Sequence, residues 1–158
     1  MLNRKQLREV VIRPALVEIN AYSNEAEELL FGICAVESLG GTYLKQVNGP
    51  ALGIYQMEPR TYNDLYHNYL KFRPEKLKKI LKVNQYSCYP KPISLIYNLK
   101  FATQIARTQL LRFESPIPNY KDVEGLARYW KNFWNTYRGK GNVEDFIDRY
   151  NRFNRWRQ

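Results

Sequence analysis

The chain has 158 residues, 44% hydrophobic and 25% charged, which suits one folded domain spanning 1–158 and excludes a disordered polymer. Two cysteines, Cys34 and Cys88, and one histidine, His67, supply neither a disulfide framework nor a cluster of soft ligands, so no metal site, cofactor or thiol chemistry is expected. The net charge of +10 calls for an anionic partner: nucleic acid, an anionic membrane and bacterial cell wall all qualify.

The apolar run Leu29-Leu30-Phe31-Gly32-Ile33-Cys34-Ala35-Val36 is too short to span a bilayer. Residues Met1 to Arg8 carry no apolar stretch of the kind that makes a secretory signal. The basic residues are spread along the chain, densest from Lys71 to Lys91, where seven face a single acid, Glu75. A second basic run holds Arg149, Arg152, Arg155 and Arg157.

In chain order, a first helix is expected from Arg4 to Asn20, kinked near Pro14, because proline lacks the N–H that an interior helical position uses. A second helix starts at Asn24, which can cap, with Glu27 completing a capping-box-like pair; it ends at Gly40-Gly41. Residues 42–47 have β-type character, Asn48-Gly49-Pro50 is a turn signal, and Ala51 to Met57 can pair back as a small hairpin or β-like loop. Pro59 opens a short helix to about Tyr69. A further helix covers Pro74 to Val83, and Gln85 to Pro92 is a loop. A long apolar stripe predicts one helix from Ile93 to Phe113, and Pro116 and Pro118 break it. Lys121 to Trp134 and Asn142 to Arg155 are the last two helices, joined by residues 135–141. The fold class is therefore mostly α with a small β excursion near 42–57.

Glu37 is the residue that breaks the pattern. At about 100° per residue, Ala26, Leu29, Leu30, Ile33 and Glu37 share one stripe of the second helix. A carboxylate thus ends an apolar face. Desolvation and the negative end of the helix dipole both disfavour its charged form, and a carboxyl that keeps its proton near neutral pH is what a general acid needs. A Glu in such a place can also turn out to solvent or pair with a buried arginine.

After Glu37-Ser38 come a glycine turn, a β-like loop and then Gly53-Ile54-Tyr55-Gln56-Met57-Glu58-Pro59-Arg60-Thr61. Over Glu37 to Thr61 the sequence resembles the lysozyme-like superfamily, specifically goose-type lysozymes and soluble lytic transglycosylases. Those proteins carry Glu-Ser at a helix end and Gly-Leu-Met-Gln after a hairpin-like loop, often followed by x-x-Pro-x-Thr. The resemblance implies an α+β lysozyme-like domain that cuts the β-1,4 bond between N-acetylmuramic acid and N-acetylglucosamine, as muramidase or lytic transglycosylase. By the same resemblance Glu37 is the acid, Ser38 orients it or contacts sugar, and Gly53 lets the backbone approach the sugar. Ile54 and Tyr55 line the floor, and Gln56 bonds in the site or pins the loop. Glu58 falls where goose-type enzymes place a second acid, although the loop between Ser38 and Met57 has none. Tyr129 is the candidate for the phenol that supports the acid in transglycosylases, in a region that departs from their Tyr-Asn pattern.

Peptidoglycan glycan strands are then the partner, and nucleic acid is not expected. Taken with the lack of a signal, the resemblance implies a phage enzyme, either held in the host cytoplasm until a holin releases it or carried in the virion beside other virion proteins. It would act in the periplasm or cell wall. Two other readings stay open: a basic nucleic-acid-binding protein using Lys71–Lys91 and the arginine-rich C-terminus, and a non-catalytic virion component on the same scaffold.

Overall fold

The structure, a computed structural model, describes residues 1–136 and 139–155. Tyr137 and Arg138 of the expected connection, and Arg157 of the basic C-terminal run, lie outside them. The described chain is mostly α, and its β content is two isolated antiparallel bridges, Lys45 with Leu52 and Leu52 with Met57.

Helix α1 is continuous over residues 4–18, with π-helical turns at Leu7–Ile12 between Arg4–Gln6 and Arg13–Glu18. The π segment is the physical form of the expected kink. Pro14 offers no N–H and its ring crowds the carbonyl four residues back. The backbone widens, and the Arg13 N–H reaches the Arg8 carbonyl five residues away.

Helix α2, Asn24–Ser38, is capped by Ser23, whose side chain accepts the Ala26 N–H. The expected Asn24–Glu27 box does not form: Asn24 is already helical, and the Glu27 carboxylate pairs with Arg13. A reciprocal box occurs instead at the last helix, where Asn142 and Asp145 exchange backbone-to-side-chain bonds of 2.8 and 2.9 Å. Helix α2 is buried on nearly all sides from Ala26 to Val36, as a central helix must be when its apolar residues leave no polar face. It stops at Leu39, Gly40 and Gly41, all three with positive φ.

The hairpin region forms the expected loop. Gln46 N–H bonds to Ala51 O, Gly53 N–H to Leu44 O, and Leu52 and Met57 exchange both backbone bonds at 3.0 Å. Helix α3 is Pro59–Asn68, followed by a 3-10 turn at Leu70–Phe72, and α4 is Pro74–Val83. The single helix expected from Ile93 to Phe113 is two: α5, Ser94–Tyr97, and α6, Leu99–Leu110. Asn98 divides them, extended at φ −114° and ψ 90°, and its side chain caps α6 by accepting the Phe101 N–H. Its competing local bond outweighs the apolar stripe.

Helix α7, Val123–Trp130, is capped by Asp122 and runs on as a π-helical turn, Lys131–Asn135. Helix α8, Val143–Arg155, lies against α2. Gly32 makes that contact possible, since a Cβ there would sit 2.1 Å from the Phe146 ring. Helices α1, α6, α7 and α8 surround α2, so it reaches the surface only near its start and in its last turn. Glu37 sits there.

Candidate active site

Glu37 lies in the last turn of α2 and is half-buried. Its carboxylate does not turn to bulk water. Trp130 of α7 donates its indole N–H to Glu37 Oε1 at 2.8 Å. That indole is almost wholly buried and packs on the Phe146 ring of α8, with centroids 5.5 Å apart, so the donor is fixed in direction. Arg149 of α8 donates to the Val36 carbonyl at 2.7 Å, occupying an acceptor left open at the helix end and bringing a positive charge near Glu37.

Burial pushes the Glu37 pKa from its ordinary 4.5 up to about 7; the Trp130 bond and the Arg149 charge pull it back down but do not cancel the rise. Desolvation dominates because two favourable contacts replace a full shell of water around the charged form. At neutral pH the group is close to half protonated, the condition in which a carboxyl both gives and takes a proton.

Glu37 opens into a cleft of about 610 Å³, larger than depressions of 350 Å³ at the N-terminus and 340 Å³ on α8. One wall is Gln56, Met57, Glu58 and Thr61, from the β-like loop and the start of α3; the other is Phe133 to Thr136 with Gly139 to Gly141. The second wall is tied by one ammonium group. Lys131 Nζ donates to Asn135 Oδ1, Gly139 O and Gly141 O at 2.7, 3.0 and 2.6 Å. Polar groups and two aromatic side chains, Phe133 and Trp134, share the lining. This composition suits a ligand with both apolar faces and hydroxyls.

The residues picked from sequence fall into two groups. Glu37, Gln56 and Glu58 border the cleft together. Gln56 also pins its loop, in the left-handed conformation at φ 47°, with Nε2 donating to Gly53 O at 2.7 Å. Glu58 is exposed at the cap of α3.

Ser38, Gly53, Ile54, Tyr55 and Tyr129 do not line the cleft, where the resemblance put Gly53, Ile54 and Tyr55, and neither Ser38 nor Tyr129 bonds to the Glu37 carboxyl. Ser38 is fully buried; its Oγ lies 2.7 Å from Ile54 O and 3.0 Å from Cys34 O and accepts the Gly41 N–H. It fastens the end of α2 to the loop. Gly53 faces the chain, with φ +74° and a Cβ position only 2.3 Å from the Leu95 carbonyl, so the close approach it permits is to protein. Ile54 is core, and Tyr55 is buried with its hydroxyl 3.0 Å from Thr103 Oγ1. The Tyr129 hydroxyl donates to Ser115 O at 3.1 Å, away from Glu37.

The donor to Glu37 is the next residue along, Trp130, a step of about 100° around the helix. The stripe Leu126, Ala127, Trp130 was its signal in the sequence: these three are buried together on α7. Phe133, Trp134, Lys131 and Arg149 carried no such signal, since their positions depend on the π turn and on helix packing.

Among the described residues no three of His, Cys, Asp and Glu come together to hold a metal ion. Cys34 is buried, which pushes its thiol up to about 12, and Cys88 is exposed. His67 is exposed at the end of α3, edge-on to Tyr66. Comparison with family models, curated proteins and solved structures found no significant match to this chain.

Proposed function

We propose that this protein cleaves the glycan strands of peptidoglycan at the β-1,4 bond between N-acetylmuramic acid and N-acetylglucosamine, with Glu37 as general acid. The observation that carries the reading is one carboxyl, with a pKa raised to about 7, opening into a cleft that Gln56 and Glu58 also border. The resemblance of Glu37 to Thr61 to goose-type lysozymes and lytic transglycosylases supplies the substrate class.

The Trp130 N–H engages Oε1, so the acid proton belongs on Oε2, free to meet the glycosidic oxygen. As the C–O bond breaks the proton passes to the leaving oxygen, and Glu37 becomes a carboxylate. The indole N–H then strengthens, because a hydrogen bond to a charged acceptor is worth about twice one to a neutral group. The oxocarbenium-like carbon must then be met from elsewhere. Glu58, on the same cleft and open to solvent, activates or orients a water if the enzyme hydrolyses. If the sugar's own 6-hydroxyl attacks, Glu37 takes that proton back and a 1,6-anhydro end results. Phe133 and Trp134 offer apolar surface to pyranose rings.

No helix among the described residues is long and apolar enough to cross a membrane. Delivery to the wall, through a holin lesion or with a phage particle, belongs to the same proposal, as does attraction of a +10 chain to an anionic wall.

The test is mass spectrometry of the soluble products from purified sacculi. Wild type should release muropeptides cut at the muramic acid, their ends reducing or 1,6-anhydro according to which nucleophile acts. Glu37→Gln should be slower by about 10² to 10⁴-fold, the usual worth of a general acid. Release by Glu37→Gln at the wild-type rate, or no saccharide cleavage by wild type, would overturn the reading.

A further inference from the structure

The Lys71–Lys91 stretch, which the cleft does not use, folds against a half-buried arginine. Helices α4 and α6 run antiparallel: Asn84 Nδ2 donates to Gln104 Oε1 at 2.6 Å, Lys100 Nζ to Val83 O at 2.7 Å, and Tyr69, just before α4, reaches Leu111 O past the end of α6. That register sets Arg107, one turn beyond Gln104, opposite the middle of α4. Lys76 and Lys79 lie there three residues apart, on neighbouring positions of the helix surface, and Arg73 is the residue immediately before the helix.

Arg107 is half-buried and held in place by its Nε–H, which donates to Ala21 O at 3.1 Å. Its remaining guanidinium N–H groups meet no acceptor among the described residues, and no buried polar atom there lacks a partner, so they face solvent. Arg73 is also oriented, its guanidinium 3.7 Å from the Tyr69 ring centre and its Nη1 donating to Tyr69 O at 3.2 Å. Neither arginine, nor Lys76 or Lys79, has a carboxylate within ion-pair distance among the described residues, although six other cations of the chain do. The Lys76 pKa is pulled below the ordinary lysine value by burial and then by the positive charges of Arg107, Arg73 and Lys79. Cations gathered this closely and left without counter-charge are relieved by an oxyanion that they share.

We propose that Arg107, Lys76, Arg73 and Lys79 form a phosphate-binding site through which the enzyme holds a phosphodiester polymer of the cell wall. The choice of polymer rests on the proposed wall-degrading function; the oxyanion site does not. The fixed Arg107 fork takes two oxygens of one phosphate, and the lysines, one turn apart along α4, take the neighbouring group of a flexible chain.

The experiment is calorimetric titration of the intact protein with poly(glycerol phosphate), and with single-stranded DNA of equal phosphate count, at fixed ionic strength. Wild type should bind the wall-type polymer at least as tightly as DNA. Lys76→Gln/Lys79→Gln and Arg107→Gln should each weaken binding by 10-fold or more, by the loss of charge-assisted bonds. Lys5→Gln/Arg152→Gln, which removes two charges elsewhere, should change it less than about 2-fold at physiological salt, where distant charges are screened. Equal weakening by both lysine-containing double variants would mean that only net charge matters, and would overturn the site. Tighter binding to DNA would overturn the polymer. The lysine double variant, which breaks no hydrogen bond among the described residues, guards against misfolding of Arg107→Gln. Cleavage of sacculi stripped of phosphate polymer should stay at the wild-type rate in these variants, which separates failure of this site from failure of the Glu37 assignment.

Discussion

Helix α2 carries buried or half-buried carboxylates at both ends, and they are treated in opposite ways. At its start, Glu27 is 4% exposed and Arg13 grips both its oxygens, at 2.8 and 2.9 Å. Glu28 is held by Arg8 at 2.6 and 2.8 Å and receives the Tyr150 hydroxyl at 2.7 Å. At its end, Glu37 receives one neutral N–H, and the nearby arginine spends its bond on a backbone carbonyl instead. An arginine fork compensates a buried charge and leaves no oxygen for a substrate. A single indole N–H under-compensates it, so burial still raises its pKa, and one oxygen is left free. Burial alone therefore does not mark a catalytic carboxylate; the character of its partner does.

Exchanging the partner types is the strongest way to break this comparison. Glu37→Gln keeps an acceptor for Trp130 and should lose activity by about 10² to 10⁴-fold while remaining folded. Glu28→Gln should do the reverse. It strands Arg8 in a half-buried site and should cost about 3 kcal/mol, read as a shift in denaturant midpoint, with the cleavage rate of the folded protein retained.

Gly53→Ala should cost about 3 kcal/mol through its positive φ and the Leu95 carbonyl, without altering the pH profile. A change in that profile would return Gly53 to the site.

The pH dependence of stability sharpens the same contrast. In the unfolded chain Glu37 titrates near 4.5, and in the folded chain near 7. Between those values the native state keeps a proton that the unfolded state has released. The associated stability is full below about pH 4.5 and is lost as pH rises through about 7. Glu37→Gln, which needs no proton, should therefore exceed wild type by about 2 kcal/mol at pH 8, and by much less at pH 4. The smallest expected effect belongs to Trp130→Phe. Removing the donor to the ionised form should move the alkaline limb of activity upward by about one pH unit.

Most of the helices were legible in the sequence because caps, prolines and apolar periodicity are local signals. Pro59 and Pro74 do open α3 and α4, and residues 42–57 do make a β-like loop. The break at Asn98 was not legible, because a capping side chain interrupts a stripe that continues on both sides of it. In the site, Glu37 stood out as a carboxylate closing an apolar face, a contradiction that one helix suffices to show. Trp130 is 93 residues away: the stripe on α7 marks it as buried, but its pairing with Glu37 depends on how α7 packs against α2, which no local pattern encodes. The five residues that proved to be buried supports share a motif with Gln56 and Glu58 or lie beside Trp130, and sequence spacing does not tell a strut from a wall.

The central claim is that Glu37 holds the working proton, and it is tested most directly by titrating its side-chain carboxyl carbon by NMR beside the pH profile of kcat/KM on sacculi. The two should share a midpoint near pH 7, with activity falling above it and the carbon signal absent in Glu37→Gln. A Glu37 titration in the ordinary carboxylate range, near 4.5, or an alkaline limb that persists in a still-active Glu37→Gln, would contradict the account.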